Sequence, residues 1–385
     1  MKEGWSYKKL GEVCEVISGQ SPEGKFYNTE GQGTPFYQGK KEFSSKYIGN
    51  PTTWTTVETK IAEKDDLLMS VRAPVGDINF ATQRLCIGRG LAAIRTKEDI
   101  DKEYLFYFLV AQKSCIKGKE GVGFASINRK EIMDIDVQYP KDFSEQRSIV
   151  TRLDAAFSHI DALKANAEKQ LNEARKLFQA ELTECMKPKE GWEEKTLKEV
   201  GITQTGTTPP KSDTSNYGEY ISFIRPAELN FDGMGGINYE SEIKLSEKGV
   251  ERSRLIKANS ILMCCIGSVG KMGFSTKEVT CNQQINTITP KSNYSPKFVY
   301  YAMLDKKFLD DIIKEAKSAQ ATLPIISKGK WERHKIHVPS LVEQHAIVSH
   351  LNSLSSTIRK LEELQQKTIA ECDALKQAML KEIFE

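Results

Sequence analysis

The 385-residue sequence predicts an α+β protein in two copies: two repeated α+β domains separated by two long helices that form an antiparallel coiled coil. Three observations carry this prediction. Ordered blocks of the first half recur in the second at a slowly growing displacement, 187 residues at the first block and 198 at the last. Each copy has short β-rich runs punctuated by Gly and Pro. Each copy then ends in a stretch without Gly or Pro, where apolar residues recur in alternating steps of four and three.

The repeat opens with GWSYKKLGEVCEVISGQSP at Gly4–Pro22, answered by GWEEKTLKEVGITQTGTTPP at Gly191–Pro210. LLMSVRAPVGDINF (Leu67–Phe80) is answered by ILMCCIGSVGKMGF (Ile261–Phe274), and FSEQRSIVTRL (Phe143–Leu153) by LVEQHAIVSHL (Leu341–Leu351). Three ordered blocks of this kind imply duplication of one unit with loop insertions between the copies. Strands are predicted at 66–71 and 91–94, and again at 261–266 and 285–288. One amphipathic helix per copy follows, over 103–117 and 297–317.

Gly and Pro are then absent from 141 to 187 and from 340 to the last residue. The first stretch carries Ile149, Leu153, Ala156, Ile160, Leu163 and Ala167. The second carries Ile347, Leu351, Leu354, Ile358 and Leu361, then Cys372, Leu375 and Met379. Helices of about 40 residues span roughly 60 Å. Ser144 and Ser340 are the expected N-terminal caps. The domains divide as 1–142 for the first globular domain, 143–187 for the central helix, 188–340 for the second globular domain and 341–385 for the distal helix.

The function classes narrow by exclusion. A 28% charged, 39% hydrophobic composition is that of a globular protein, and a net charge of +3 is too small to argue for nucleic-acid binding by itself. No apolar run approaches the roughly 18 residues of a membrane span, and the first residues contain no apolar signal core. With eight scattered cysteines and no C-x-x-C pair, a cytoplasmic protein with reduced thiols is expected. Thr208-Pro209-Pro210-Lys211 lacks the aromatic residue of an amino-methylase tetrapeptide, and Gly267–Gly273 lacks P-loop spacing. Gly118–Gly123 reads as a connector, and Cys264-Cys265 as core packing. His334, His337, His345 and His350 have no paired Cys or acidic residue at ligand spacing, so no metal site is expected. No catalytic constellation emerges.

What remains is polar and basic loops at matching places in the two copies. Gln38, Lys40, Arg72, Arg89 and Asn128 stand in the first, and Arg225, Lys271, Gln283, Gln284 and Lys328 in the second. Arg and Lys suit guanine edges and phosphates, while Asn and Gln suit adenine. These ten are the candidate DNA-binding residues.

The ordered blocks, with CIGRGLAAIR, FSEQRSIVTRLDAAFSHIDAL, CNQQINTITP and LVEQHAIVSHLNSL, together resemble the DNA-specificity subunits of type I restriction–modification enzymes. The resemblance covers nearly the whole chain. It implies two target-recognition domains that each read one half of a split, asymmetric site in double-stranded DNA. It also implies that the helices, through Ile149, Leu153, Ile160, Leu163, Ile347, Leu351, Ile358 and Leu361, act as spacer and as docking surface. Two methylation subunits would dock there, and through them a restriction subunit. S-adenosylmethionine and catalysis would belong to the partners, leaving this chain without a cofactor of its own. Two other readings stand beside it: a coiled-coil adaptor that binds only proteins, and a degenerate stand-alone methyltransferase.

Overall fold

The computed structural model describes residues 3–116, 119–120, 125–229, 235–319 and 323–384. The chain divides into two compact units, Met1–Asn166 with Thr368–Glu385, and Ala167–Lys367. The division runs through both long helices, Phe143–Cys185 and Leu341–Phe384, so each unit owns one globular domain and a segment of each helix.

In the first unit an antiparallel four-stranded sheet has the order Cys14–Ser18, Leu91–Thr96, Leu67–Ser70, Ile78–Phe80. The strands over Leu67–Ser70 and Ile78–Phe80 are buried throughout, with the buried Asn79 side chain bonded to the Ser44 backbone. A second, five-stranded sheet contains one parallel pair, Thr34–Tyr37 beside Leu85–Ile87, with Phe36 opposite Cys86. Trp5–Lys9 pairs with Asp136–Pro140 and closes the domain. The helix Lys102–Ala111 is capped by Asp101, and Tyr104 to Leu109 are all buried. The amphipathic helix predicted over 103–117 is therefore a core helix, apolar all round, that ends at Ala111.

The second unit repeats the plan. Gly201–Thr205, Ile285–Pro290, Ile261–Cys264 and Met272–Phe274 form the four-stranded sheet in the same order. Tyr217–Ile224 runs parallel to Thr280–Cys281, and Glu193–Thr196 pairs with Lys335–Val338. The single helix predicted over 297–317 is two, Pro296–Leu304 and Lys306–Ala319, broken at Asp305, whose backbone is extended. Cys264 and Cys265 are buried, and burial pushes the Cys265 thiol up to about 12, as suits a packing residue. Within the connector at Gly118–Gly123, Lys119–Glu120 pairs with Ala125–Ser126, and the other four positions lie outside the described residues.

A buried glutamine ties each long helix to its domain. Gln146 accepts from the Asp101 backbone N–H at 2.7 Å and donates to the Pro140 carbonyl at 2.8 Å. Gln344 accepts from the Ser295 N–H at 2.8 Å and donates to the Pro339 carbonyl at 2.9 Å. The Glu-Gln step of the repeat thus satisfies backbone groups that burial would otherwise leave unpaired. Ser340 does cap the distal helix, accepting weakly from the Glu343 N–H at 3.4 Å. The central helix is instead capped two residues earlier than predicted, by Asp142, which accepts from the Ser144 N–H at 2.8 Å.

Within each unit the helix segments run antiparallel. Lys164 meets Asp373 at 2.8 Å in the first, while Arg175 meets Glu362 at 2.8 Å and Gln170 meets Gln365 at 2.7 Å in the second. Leu153, Ile160 and Ala167 are buried as the 4-3 rhythm requires, but the alternate positions are Val150, Phe157 and Lys164 rather than Ile149, Ala156 and Leu163. Leu163 is 58% exposed and Leu375 51%. The lysines beside them take the inner positions instead: Lys376 sits 5.0 Å over the Phe157 ring. Long aliphatic stems let lysine occupy a seam with its charge at the rim.

Candidate nucleic-acid interface

At one end of the first unit's sheets, four loops converge through backbone hydrogen bonds. Gly88 N–H donates to the Tyr37 carbonyl at 2.9 Å, and Gly90 N–H to the Gln38 carbonyl at 3.1 Å. Gly19 N–H donates to the Leu91 carbonyl at 2.9 Å, and Val71 N–H to the Gly90 carbonyl at 3.0 Å. The approach is close enough to demand glycine: a Cβ on Gly19 would lie 2.1 Å from the Gly88 carbonyl oxygen. Gln38, Arg72 and Arg89 are thereby brought together. Ser21 links Gln38 and Arg89, donating to Gln38 Oε1 at 2.8 Å and accepting from the Arg89 N–H at 3.3 Å. The Arg72 and Arg89 side chains are exposed and have no partner among the described residues.

The second unit rebuilds this scaffold with other side chains. Asn282 N–H donates to the Ile224 carbonyl at 3.1 Å, Gly206 N–H to the Ile285 carbonyl at 2.9 Å, and Cys265 N–H to the Gln284 carbonyl at 2.7 Å. A Cβ on Gly206 would lie 2.2 Å from the Asn282 carbonyl oxygen. Arg225 therefore stands where the first unit has Gln38, and Gln283 where it has Arg89. Gln283 is exposed and accepts from the Thr208 hydroxyl, the counterpart of Ser21. Gln284 accepts from the Asn282 side chain at 2.8 Å. Lys271, half-buried in the hairpin loop, has no side-chain partner among the described residues.

Four of the ten candidates are instead engaged in ion pairs or a helix cap. Lys40 pairs with Asp77, which also holds Lys113. Burial would raise the Asp77 carboxyl, but the two ammonium groups outweigh it and hold the carboxyl below its ordinary range. Arg225 binds Glu228 at 2.7 Å and Glu242 at 3.4 Å; the hydrogen bond to Glu228 comes first in holding the guanidinium charged. Asn128 caps Arg129–Met133, accepting from the Glu131 N–H at 3.1 Å, and Lys328 pairs with Glu332 at 2.9 Å. Ser21 and Thr208 were missed. Their place immediately before the matching Pro22 and Pro209 was the signal that could have found them.

The eight helix candidates also sort by burial. Leu153, Ile160, Ile347, Leu351 and Ile358 are buried inside their own units, Ile149 and Leu361 pack partly against the cores, and Leu163 faces outward.

Both copies match the model of a known family. The model for the type I restriction modification DNA specificity domain fits residues 2–173 and again 189–370. The chain belongs to that family. A specificity subunit assigned to the MjaX type I restriction enzyme of Methanocaldococcus jannaschii is 41% identical over 182 residues. That alignment covers 45% of this chain and 41% of the relative, so the chain spans about two fifths of that protein's length. The MjaIX specificity subunit of the same organism is 25% identical over 90% of this chain and 86% of its own length. Among solved structures, one from work on assembly and conformational transition of the type I restriction–modification system matches with a TM-score of 0.76 at 19% identity, covering 100% of this chain and 98% of that one. The HsdS subunit of Thermoanaerobacter tengcongensis matches with a TM-score of 0.54 at 18% identity, covering 100% and 97%. These two likenesses concern the fold. No described helix of this specificity-family chain is long and apolar enough to cross a membrane.

Proposed function

We propose that this specificity subunit reads a bipartite, asymmetric site in double-stranded DNA, one half with each unit, in the cytoplasm. The observation that carries the reading is the pair of loop clusters, in which equivalent backbone hydrogen bonds hold non-equivalent side chains. A common frame makes both units approach a duplex in the same way. The exchange of Arg89 for Gln283, and of Gln38 for an Arg225 neutralised by Glu228, makes them prefer different bases. Arg72, Arg89 and Gln38 would serve one half-site, and Lys271, Gln283 and Gln284 the other. Lys40, Arg225, Asn128 and Lys328 would chiefly hold the loops in shape.

Exposed leucines on the helix pairs include Leu163 and Leu375 in the first unit and Leu177 and Leu364 in the second. We assign these faces to the docking of two methylation subunits, through which a restriction subunit would join. Methyl transfer requires a base flipped into a catalytic pocket, and we place that pocket and S-adenosylmethionine on the partners. The test is a gel shift and methyl-transfer assay with and without co-expressed methylation subunit. Methylation is expected only from the complex. Transfer by the isolated chain, free of contaminating methylase, would refute the assignment.

A further inference from the structure

The antiparallel helices bring together, inside the second unit, three metal-ligating side chains of different chemistry. Glu181 and Cys185 stand one turn apart on the central helix, on one face, and His350 comes from the distal helix. His350 Nε2 lies 2.8 Å from Glu181 Oε1, and Cys185 Sγ lies 3.9 Å from the same oxygen. All three ligand atoms fall within 4.8 Å of one another. We propose that Glu181, Cys185 and His350 form a tetrahedral zinc site with water as the fourth ligand.

Bonds of about 2.0 Å to nitrogen and oxygen and about 2.3 Å to sulfur place tetrahedral ligand atoms roughly 3.3–3.7 Å apart. The two separations, 2.8 and 3.9 Å, lie on either side of that range, so small side-chain rotations close the set around an ion. One thiolate with one imidazole favours a borderline ion such as zinc over magnesium or calcium, which take oxygen ligands. The His350 side chain is 55% exposed and Glu181 38%, which leaves a path for the ion and room for a bound water.

The duplication supplies an independent comparison. At the displacement of 198 residues, Arg152, Met379 and Ile383 occupy the corresponding places in the first unit. Met379 and Ile383 pack against that unit's core. The framework therefore accepts apolar residues at the places of Glu181 and Cys185, and the donor set is particular to the second unit. Zinc there would staple the last turns of the central helix to the distal helix.

The full chain, reduced and stripped with a chelator, is titrated with Zn²⁺ by calorimetry and with Co²⁺ by absorption spectroscopy. One ion per chain, a thiolate-to-cobalt charge-transfer band and a raised unfolding temperature are expected. Cys185→Ser and His350→Gln should each abolish the band and weaken zinc binding at least tenfold. Cys115→Ser, at the exposed cysteine, should change neither. Absence of stoichiometric binding by the wild-type chain overturns the proposal, as does binding that Cys185→Ser and His350→Gln leave undiminished. If either variant fails to fold, the wild-type cobalt spectrum decides alone.

Discussion

Truncating Phe384 to alanine should destabilise a domain most of whose residues lie more than two hundred positions away in sequence. Phe384 is fully buried in the first unit, edge-on to Tyr104 at 5.4 Å and to Phe108 at 5.9 Å. Its carbonyl accepts from the Gln138 side chain at 2.6 Å, so the last helical turn is fixed by both packing and a hydrogen bond. Loss of a buried phenylalanine costs about 3–5 kcal/mol, because the cavity it leaves collapses only in part. Each kcal/mol lowers the melting temperature by about 2–4 °C in a domain of 150–250 residues, so a fall of roughly 6–20 °C is expected. The assay is calorimetry combined with hydrogen exchange read by mass spectrometry. Exchange should rise in Trp5–Lys9, Asp136–Pro140 and Lys102–Ala111, and stay unchanged in Glu193–Thr196 and Lys335–Val338. If Phe384→Ala leaves the first three segments protected, the distal helix does not complete the first unit and the division of the chain is wrong.

Gly19→Ala should push the Gly88–Leu91 loop out of place, at about 1–3 kcal/mol, and lower DNA affinity by tenfold or more in a binding titration, with the second half-site's sequence preference intact. Burial among Phe274, Tyr300 and Tyr301, with Arg359 nearby, pushes Lys297 down from 10.5 to about 8. A lysine whose folded pKa is lowered penalises the folded state in full below pH 8, and the penalty fades as pH rises toward 10.5. Chemical denaturation of wild type and Lys297→Met should therefore show the stability difference moving in favour of wild type between pH 8 and pH 10; parallel curves would refute this. Matched four-residue helical insertions after Asn166 and after Lys367 add about 6 Å of helix. At about 3.4 Å per base step, sequencing of methylated sites should show the unread spacer lengthened by one or two base pairs with both half-sites unchanged. Placed after Leu177 alone, the insertion would part Ala174 from Phe178, both buried in the second unit's core.

The duplication and the long helices were legible because they rest on identity and on periodicity, signals that survive without coordinates. The phase of the helix seam was not. Leu163 beside Lys164 and Leu375 beside Lys376 invite the apolar choice, and only packing shows that the lysine stems turn inward. Among the site residues, the positions of the loops followed from the repeat, but their charge state did not. Lys40 meets an aspartate 37 residues away, a pairing that no local pattern announces. Glu228, three residues after Arg225, and Glu332, four after Lys328, were neutralising partners visible in sequence. The Glu181, Cys185 and His350 cluster escaped for a similar reason, since two ligands share one helix and the third comes from a helix 169 residues further on.

Mapping methylated sites in cells that carry the methylation subunit together with Arg89→Ala or Gln283→Ala chains tests the central claim most directly. The account predicts a split site in which Arg89→Ala relaxes the bases of one half and Gln283→Ala those of the other, with the spacer unchanged. A site altered in the same half by both substitutions, or one continuous run of bases, would contradict it.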